Sequence, residues 1–453
     1  MTVAAASHIS RLVTALAVCA LIIAAGGRAV AARAEAQHPA EHGATAVATV
    51  SATPTPRPTP MSALRPFVLI TGGIGTITVP TGESPAVLNT AEIYDPEKKQ
   101  FMRLAHTLTS RRDEHAAVRL KDGRVLIVGG VDTVLVPLVA FSGPSLPSIL
   151  DSAELFDPSA GTFTPAAKMD ASRAKPTATL LRDGSVLVVG GSTDKAELYD
   201  PAAGKFSPTG AMGSERYRQT ATLLPDGRVL IVGGGNRRAE LYDPATAKWS
   251  YTGEMKANRI FHTATLLDNG TVLIAGGSRL ARGTPLDTTE IYDPKTGSFT
   301  AGPNMVKGRA GQTATLLKDG RVLIVGGHGD NSAEIYDPKT NAFTLTTPLE
   351  VARYGHTATL LPDGTVLIAG GWNAEFRPLR SAELYDPKRD TFSPVGNMTQ
   401  ARAGHTATLI WAKPGIDWLK PTPTASATPS ATATKTPRRA APGSPTHATN
   451  IGG

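Results

Sequence analysis

The stretch RYRQTATLLPDGRVLIVGGGNRRAELYDPATAKW, residues 216–249, contains four short elements in a fixed order. An arginine leads into the Thr-Ala-Thr-Leu-Leu run 220–224, and Asp226-Gly227 separates this run from the apolar run 229–232, which ends in glycines. The Glu-Leu-Tyr-Asp-Pro run 240–244 then precedes a single aromatic residue, Trp249. An Asp-Gly dipeptide between two strand-like runs indicates a β-hairpin, because both turn residues can adopt positive φ. The stretch therefore predicts four short antiparallel strands.

These elements occur seven times along the chain. The apolar run ends in a glycine doublet whose second residue is Gly73, Gly130, Gly191, Gly234, Gly277, Gly327 or Gly371. The Glu-(Leu/Ile)-(Tyr/Phe)-Asp-Pro run starts at Glu92, Glu154, Glu197, Glu240, Glu290, Glu334 and Glu383, and an aromatic residue follows each Asp by six positions. The arginine-led element starts at Arg112, Arg173, Arg216, Arg259, Arg309, Arg353 and Arg402. Four-stranded units of this kind bury both faces only when they stack radially around an axis.

The Gly-Gly doublet, the Tyr-Asp pair and the aromatic residue six positions later resemble kelch repeats, over roughly residues 67–411. The resemblance implies an all-β, seven-bladed kelch-type β-propeller with the Thr-Ala-Thr-Leu-Leu strand innermost and the aromatic-bearing strand outermost. The first Gly-Gly strand has no inner strand before it, and the last inner strand, 404–410, has no Gly-Gly strand after it. We therefore expect the C-terminal inner strand to pair with the N-terminal blade, which leaves no open edge.

The remaining segments suggest export. Residues 1–36 are predicted to be a signal peptide, since Arg11 precedes a short apolar stretch followed by Ala-x-Ala sites; an uncleaved membrane anchor is the alternative. Residues 37–64 form a Pro/Thr-rich linker, 65–415 the propeller, and 416–453 a Thr/Pro/Ala/Ser-rich tail that we expect to be disordered. The only cysteine, Cys19, lies in the signal segment. These features predict a secreted or cell-surface monomer that contacts a membrane only through an uncleaved N-terminal segment.

The formal net charge of +8 does not indicate a nucleic-acid partner. Binding to phosphate backbones relies on clustered Lys and Arg side chains. Here the basic residues are scattered through the repeats, and several lie in the two terminal segments.

Comparison of the seven repeats distinguishes residues that every blade needs for folding from candidates for ligand binding. A residue present in all seven blades is interpreted as structural, so the repeated arginines are assigned to the scaffold, with a ligand-facing cationic ring as the alternative. Four histidines occupy equivalent positions where Gln219, Gln312 or Pro176 stand in other blades, and this exchange argues against a metal site. These histidines are His115, His262, His356 and His405.

The connections that follow the glycine doublets differ from blade to blade. Connection 131–150 is apolar and either covers the channel mouth or offers a partner surface; it carries Val134, Leu135, Val136, Leu138, Val139 and Phe141. Arginine and aromatic residues dominate binding energy at interfaces, and arginine pairs bidentately with carboxylates. We therefore predict a protein or glycan ligand, with an anionic one favoured, and solvated loops are the alternative. The ligand-binding candidates are Arg237, Arg238, Arg279, Arg282, Trp372, Phe376, Arg377, Arg380, Tyr217, Arg218, Phe261 and Tyr354.

The sequence favours a non-catalytic binding or scaffold protein without cofactor or metal. Galactose-oxidase-like copper oxidases share the kelch-type fold, but their cofactor needs a cysteine joined to a tyrosine, and the repeats contain no cysteine. Sialidase boxes, phosphate loops, nucleophile elbows and His-Glu-x-x-His motifs do not occur either. The alternative is a propeller enzyme, either galactose-oxidase-like or a metal-dependent hydrolase built from scattered His and Asp residues.

Overall fold

The strands of this computed structural model form seven four-stranded antiparallel sheets, and the structure describes residues 64–79, 82–132, 148–281, 283–416 and 418. The inner strand of each sheet lies beside the inner strands of two other sheets, and these contacts close a cycle of seven. The described residues contain no helix, and hence none long and apolar enough to cross a membrane. The predicted seven-bladed, all-β propeller is confirmed.

The four strands of every blade run in order from the channel outward. Blade 1 consists of Thr406–Ala412, Arg65–Thr71, Ala91–Asp95 and Gln100–Arg103. Blades 2 and 3 consist of Ala116–Arg119, Val125–Val128, Ala153–Asp157 and Thr162–Pro165, and of Thr177–Leu180, Val186–Val189, Thr193–Asp200 and Lys205–Arg216. Blades 4 and 5 consist of Gln219–Leu223, Val229–Gly233, Arg238–Asp243 and Lys248–Glu254, and of Thr263–Leu266, Val272–Ala275, Thr289–Asp293 and Ser298–Ala301. Blades 6 and 7 consist of Thr313–Leu316, Val322–Val325, Ala333–Asp337 and Ala342–Leu345, and of Thr357–Leu360, Val366–Ala369, Ala382–Asp386 and Thr391–Pro394.

Two connections after glycine doublets add short ladders of their own. In blade 1, Ile74–Val79 pairs with Gly82–Val87. In blade 2, Val131–Asp132 pairs with Ser148–Ile149 at the base of the long connection.

The ring closes as predicted. The inner strand of blade 1 comes from the C-terminal end of the repeats and pairs with Arg65–Thr71 over seven residues, from Arg65 opposite Ala412 to Thr71 opposite Thr406. Packing continues to Trp418, three residues past the predicted end of the propeller at 415. Trp418 is 5% exposed, meets Phe67 edge-on at 4.7 Å between ring centroids, and donates from Nε1 to the carbonyl of Pro158 at 3.3 Å. This residue therefore ties the chain's last described segment to blades 1 and 2.

The second strand of each blade is apolar at successive positions because its two faces meet different blades. In blade 3, Val186 and Val188 pack with Leu126 and Val128 of blade 2. The alternate residues Leu187 and Val189 pack instead with Val229 and Ile231 of blade 4. A strand buried on both faces loses the alternation of apolar and polar residues. The core therefore lies between the blades.

A buried ion pair connects the first and third strands of every blade. The arginine before each inner strand is almost completely buried and lies 2.6–3.1 Å from a glutamate oxygen of the third strand. In blade 2, Arg112 pairs with Glu154, and its Nη1 also donates to the carbonyl of Gly129, the first glycine of the doublet, at 2.9 Å. These arginines do not form a solvent-facing ring.

The second glycine of each doublet joins neighbouring blades. Gly73 of blade 1 donates its N–H to the carbonyl of Arg112 in blade 2 at 2.7 Å. Both glycines of this doublet have positive φ, 59° at Gly72 and 89° at Gly73, and a Cβ on Gly72 would overlap the same Arg112 carbonyl. The arginine, the doublet and the glutamate therefore form one repeated structural unit.

The predicted signal peptide at 1–36 and nearly all of the linker at 37–64 lie outside the described residues. So does the tail at 416–453, apart from Ile416 and Trp418.

Removal of the glutamate charge at the ring closure is expected to destabilise the propeller. Glu92→Gln leaves the guanidinium of Arg402 buried without a counter-charge, so the free energy of unfolding in urea should fall by about 3–5 kcal/mol. The matched control is Glu254→Gln, because Glu254 pairs with Arg237 at the exposed surface; it should cause no measurable change. Equal effects of the two variants would contradict a special role of the buried pair.

Candidate functional site at the channel mouth

Besides the connections, each blade varies in its lead-in segment, the four residues Arg-x-x-(His, Gln or Pro) that lead into the inner strand. Its third residue has a positive φ between 52° and 71° in all seven blades; these residues are Glu114, Lys175, Arg218, Phe261, Gly311, Gly355 and Gly404, here called the mouth ring. Backbone hydrogen bonds run along one side of the ring, from Glu114 N–H to Gly404 at 3.2 Å, Gly404 N–H to Gly355 at 3.2 Å, Gly355 N–H to Gly311 at 2.9 Å and Gly311 N–H to Phe261 at 3.0 Å. The mouth ring therefore surrounds the channel at the end where the inner strands begin.

Four of the seven blades carry a side chain where the backbone favours glycine. Left-handed backbone costs a residue with a Cβ roughly 1–2 kcal/mol. The ring divides into a charged sector, Glu114, Lys175, Arg218 and Phe261, and a glycine sector, Gly311, Gly355 and Gly404. The two sectors occupy opposite sides of one channel, so the mouth is strongly asymmetric although the scaffold repeats.

The side chains of the charged sector contact one another across four blades. Glu114 accepts a hydrogen bond from Arg218 Nη2 at 2.6 Å and one from the hydroxyl of Tyr217 at 2.9 Å, and Lys175 Nζ lies 3.8 Å away. The guanidinium of Arg218 lies over the ring of Phe261 with its central carbon 3.8 Å from the centroid, a cation–π geometry. The charges in this sector therefore largely satisfy each other.

Two adjacent carboxyl groups at this mouth have opposite pKa shifts. Burial, together with the negative charge of Glu114, raises the pKa of Asp113 well above its ordinary range. Burial also tends to raise the pKa of Glu114, but the charges of Arg218 and Lys175 outweigh it and lower that pKa below its usual value. We therefore expect Glu114 to be ionised at neutral pH, whereas Asp113 holds its proton more strongly.

Aromatic side chains lie beside the glycine sector. The rings of Tyr354 and Phe376 are 6.0 Å apart in an edge-on arrangement. A Cβ on Gly355 would lie 3.4 Å from Trp372 Cδ1, and one on Gly311 would lie 3.6 Å from Tyr354 Cβ. We call Gly311, Gly355, Tyr354, Trp372 and Phe376 the aromatic sector. Gly404 differs from the other two glycines, since a Cβ there would overlap the Asp113 carboxylate.

The structure groups half of the predicted ligand-binding residues into these two sectors. Tyr217, Arg218 and Phe261 meet in the charged sector, and Tyr354, Trp372 and Phe376 meet in or beside the glycine sector. Residues predicted from separate parts of the sequence therefore converge at the mouth.

The other six predicted residues belong to the connections, and Arg377 directly follows Phe376 on one of them. Arg237 pairs with Glu254 at 2.7 Å, and the guanidinium of Arg238 lies 5.6 Å from the ring centroid of Tyr251. Arg380 Nε donates to the carbonyl of Met398 at 3.0 Å. Arg279 and Arg377 are exposed, and Arg282 lies outside the described residues. A binding role for any of the twelve residues stays a prediction.

Sequence reasoning missed three residues of the mouth, Asp113, Glu114 and Lys175. They occupy the same two middle positions of the lead-in segment as Tyr217, Arg218 and Phe261. Alignment of the seven lead-in segments by their arginines would have identified them, because only the middle positions differ in character from blade to blade.

The long connection of blade 2 begins beside the charged sector. Val131 is buried and packs with Ala174, Ile149 and Tyr217. Residues 133–147, which include the six apolar side chains that define this connection, lie outside the described residues. Their role, either as a cover for the mouth or as a partner surface, stays a prediction.

The four equivalent histidines join neighbouring blades. His115 Nε2 lies 3.0 Å from the hydroxyl of Thr71 and 2.9 Å from that of Thr406, both in blade 1. Burial and the charge of Arg259 lower the pKa of His262 to about 3, so this imidazole is neutral at physiological pH. In another blade, Gln219 at the same position donates from Nε2 to the carbonyl of Val189 at 3.1 Å. Within the described ranges, no three His, Cys, Asp or Glu side chains approach closely enough to hold a metal ion.

The fold and its mouth define a seven-bladed β-propeller with one variable face. The Kelch motif family matches residues 260–306 and 352–399, and a comparison with curated proteins gave no match. With the seven repeats, this places the chain among the kelch-repeat β-propellers. Among solved structures, a fungal alcohol oxidase of the AA5 family in complex with copper is similar at a TM-score of 0.56 and 19% identity, over 77% of this chain and 72% of that one. At this identity the likeness shows the fold alone.

The described residues do not fit a copper centre. The buried histidines lie in separate blades, and each directs Nε2 to a threonine hydroxyl. The only cysteine, Cys19, lies outside the described residues. A kelch propeller supports a binding or scaffold role in general, and the site chemistry has to be argued separately from the fold.

The neutral histidines should make stability depend on pH. The pKa of His262 is about 3 in the fold and about 6.5 in an unfolded chain, so its contribution to stability is fully present above pH 6.5 and is lost as the pH falls toward 3. His262→Gln copies the residue found in blades 4 and 6, and it should reduce the loss of unfolding free energy between pH 6 and 4 by about 1.4 kcal/mol per pH unit. Urea titrations at several pH values measure this slope. The control His328→Gln removes an exposed histidine and should keep the wild-type slope; an unchanged slope in His262→Gln would refute the assignment.

Proposed function

We propose that this chain is a non-catalytic extracellular binding propeller that holds a protein or glycan ligand, with an anionic one favoured, at the mouth ring and the surrounding connections. The observation that carries the proposal is the mouth ring itself. Four left-handed positions carry Glu114, Lys175, Arg218 and Phe261, where glycine would adopt the same backbone without strain. Strained residues persist when the surrounding structure holds them, and they cluster at functional sites.

Each four-residue lead-in segment combines two structural positions with two positions that vary between blades. The first residue is always a buried arginine, and the fourth is a histidine, glutamine or proline packed against a neighbouring blade. The second and third residues range from acidic and basic to aromatic and glycine. The backbone conformation of these positions is the same in all blades, so it does not by itself account for these differences. A ligand that lies across the channel mouth would account for them.

The charges around the mouth favour an anionic ligand. Glu114 is compensated by Arg218 and Lys175 within the charged sector. On the connections, Arg279 and Arg377 are exposed and pair with no carboxylate among the described residues. Arginine in this state binds carboxylates through two parallel hydrogen bonds.

Both ends of the propeller leave at the face opposite the mouth. Thr71 and Thr406 pair close to the mouth ring, whereas Arg65 and Ala412 pair at the far end of the same two strands. The two strand ends that lead to the terminal segments are therefore at the face away from the mouth ring. This geometry suits the predicted secreted or cell-surface location; that location and the monomeric state are predictions from the sequence.

One observation favours the alternative of a propeller enzyme. The pKa values of Asp113 and Glu114 are displaced in opposite directions, which is the condition for an acid and a base made from two carboxyl groups. The carboxyl oxygen Asp113 Oδ1 is buried, however, and Glu114 is paired with Arg218. Stoichiometric metal in the purified protein would favour the metal-dependent version of this alternative.

Charge reversal at the mouth should abolish ligand retention. We expect Arg377→Glu with Arg380→Glu to lose most binding to surface glycans and cell-envelope extracts, because both side chains belong to the blade 7 connection beside the mouth. The control is Lys388→Glu with Arg389→Glu, which makes the same charge change in the same blade at the turn between its outer strands. Retention that is unchanged in the first variant, or equally reduced in both, would remove the proposed face.

Loss of a strained side chain from the mouth ring should not weaken the fold. Lys175→Gly relieves a left-handed φ of 55°, and the free energy of unfolding should stay constant or rise by up to about 1 kcal/mol. The control Lys168→Gly at an exposed position without positive φ should lower it, because glycine adds freedom to the unfolded chain. A clear loss of stability in Lys175→Gly, measured in urea, would mean that folding and not binding retains this lysine.

A further inference from the structure

We infer that the aromatic sector, together with Arg377, is a subsite for a uronate-bearing oligosaccharide, with a sugar ring on the aromatic faces and its carboxylate on the guanidinium. The inference rests on the proposed function and names the ligand class and the part of the mouth that would hold it. Three features support it: the glycines Gly311 and Gly355, the turn that carries Phe376, and the exposed Arg377.

Two of the five residues of the aromatic sector are glycines. Gly311 and Gly355 carry no side chain, and a Cβ at either position would already be in van der Waals contact with Tyr354 or Trp372, at 3.6 and 3.4 Å. The two glycines therefore add no side-chain bulk next to Tyr354 and Trp372. A surface without projecting side chains suits the flat C–H face of a pyranose ring, which packs on aromatic surfaces, better than an inserted amino-acid side chain.

Hydrogen bonds fix the backbone segments that carry the aromatic side chains. Tyr354 N–H donates to the carbonyl of Trp372 at 3.0 Å, and Trp372 N–H donates to that of Tyr354 at 2.8 Å. The side chain of Asn373 accepts from the N–H groups of Glu375 at 3.1 Å and Arg377 at 2.8 Å, which closes a tight turn. A binding surface that is rigid before the ligand arrives loses less entropy on binding.

Phe376 lies on this turn in a conformation that folding does not require. Its φ is 57°, and its side chain remains 40% exposed. Left-handed backbone and an exposed aromatic ring both act against stability in the free protein. Contact of this ring with a ligand explains why the turn presents it outward.

Arg377 is placed to select the charge of the ligand. Arg218 pairs with Glu114 and Arg237 with Glu254, whereas Arg377, like Arg279, is exposed and pairs with no carboxylate among the described residues. It directly follows Phe376 on the turn that the Asn373 side chain closes, so both residues belong to the same connection. A uronate sugar can bind Phe376 through its ring and Arg377 through its carboxylate.

The experiment titrates the full-length protein with sugar hexamers of galacturonate, mannuronate and glucuronate, with the methyl esters of each, and with poly-glutamate. Calorimetry should detect binding of at least one uronate hexamer, with the corresponding methyl ester and poly-glutamate each at least tenfold weaker. Trp372→Ala and Arg377→Gln should each weaken the uronate at least tenfold, which corresponds to about 1.4 kcal/mol. Trp372→Phe keeps an aromatic face and should remain within about threefold of the wild type.

Two control variants separate the aromatic sector from general surface effects. Tyr251→Ala removes an aromatic side chain that is 55% exposed on the outer strand of blade 4, and Arg389→Gln removes an exposed arginine from the turn between the outer strands of blade 7. Both should bind the uronate as the wild type does. Equal weakening by the controls would overturn the subsite.

The remaining outcomes separate this inference from the proposed function. No binding of any uronate hexamer at millimolar concentration overturns the inference, while retention of envelope material that is sensitive to Arg377→Glu with Arg380→Glu would still support the binding face. Equal affinity for a methyl ester overturns the choice of an acidic sugar. Equal affinity for poly-glutamate, dependent on Arg377 and independent of Trp372, overturns the sugar and favours an acidic peptide.

Discussion

The seven buried arginine–glutamate pairs are the interaction on which the rest of the structure depends. Each arginine donates to the first glycine of its own blade's doublet, and its carbonyl accepts from the second glycine of the preceding blade, as Arg112 does with Gly129 and Gly73. Removing two charges from water costs free energy, so such a pair adds little net stability. An arrangement that separates the partners leaves a buried charge without its counter-charge and is strongly destabilised. The pair therefore fixes the backbone of the lead-in segment, whichever residues occupy its two middle positions.

This constraint explains how a repetitive scaffold carries an asymmetric site. The backbone of the mouth ring is held in the left-handed region in every blade, so glycine is the residue of least strain and any other residue costs roughly 1–2 kcal/mol. Four blades accept that cost. In the charged sector the side chains satisfy one another, with Glu114 between Arg218 and Lys175. In the glycine sector, Gly311 and Gly355 lie next to the aromatic residues Tyr354 and Trp372, so the two halves of the mouth differ in chemistry.

Most of the fold was predictable from the sequence, whereas the site was predictable only in part. Strand order, blade number and closure follow from repeats in one register, because each element has a local signal such as Asp226-Gly227. The site depends on contacts between distant residues: the hydroxyl of Tyr217 reaches Glu114 from 103 positions away in the chain. Sequence alone could not show that Arg237 is paired with Glu254. Trp418 was assigned to the tail because its neighbours have tail-like composition, although it packs on Phe67.

The likeness to a copper-containing alcohol oxidase concerns the fold alone, because one propeller scaffold can carry many unrelated functions. In this chain the buried histidines form hydrogen bonds between blades, and glutamine performs the same task in blades 4 and 6. Imidazole chemistry is therefore not what those positions require. The chemistry that varies from blade to blade lies in the lead-in segments and the connections. In the charged sector two cationic side chains, Arg218 and Lys175, face the carboxylate of Glu114. Under the proposed function, the ligand is selected on the other side as well, where Trp372, Phe376 and Arg377 stand on one connection of blade 7.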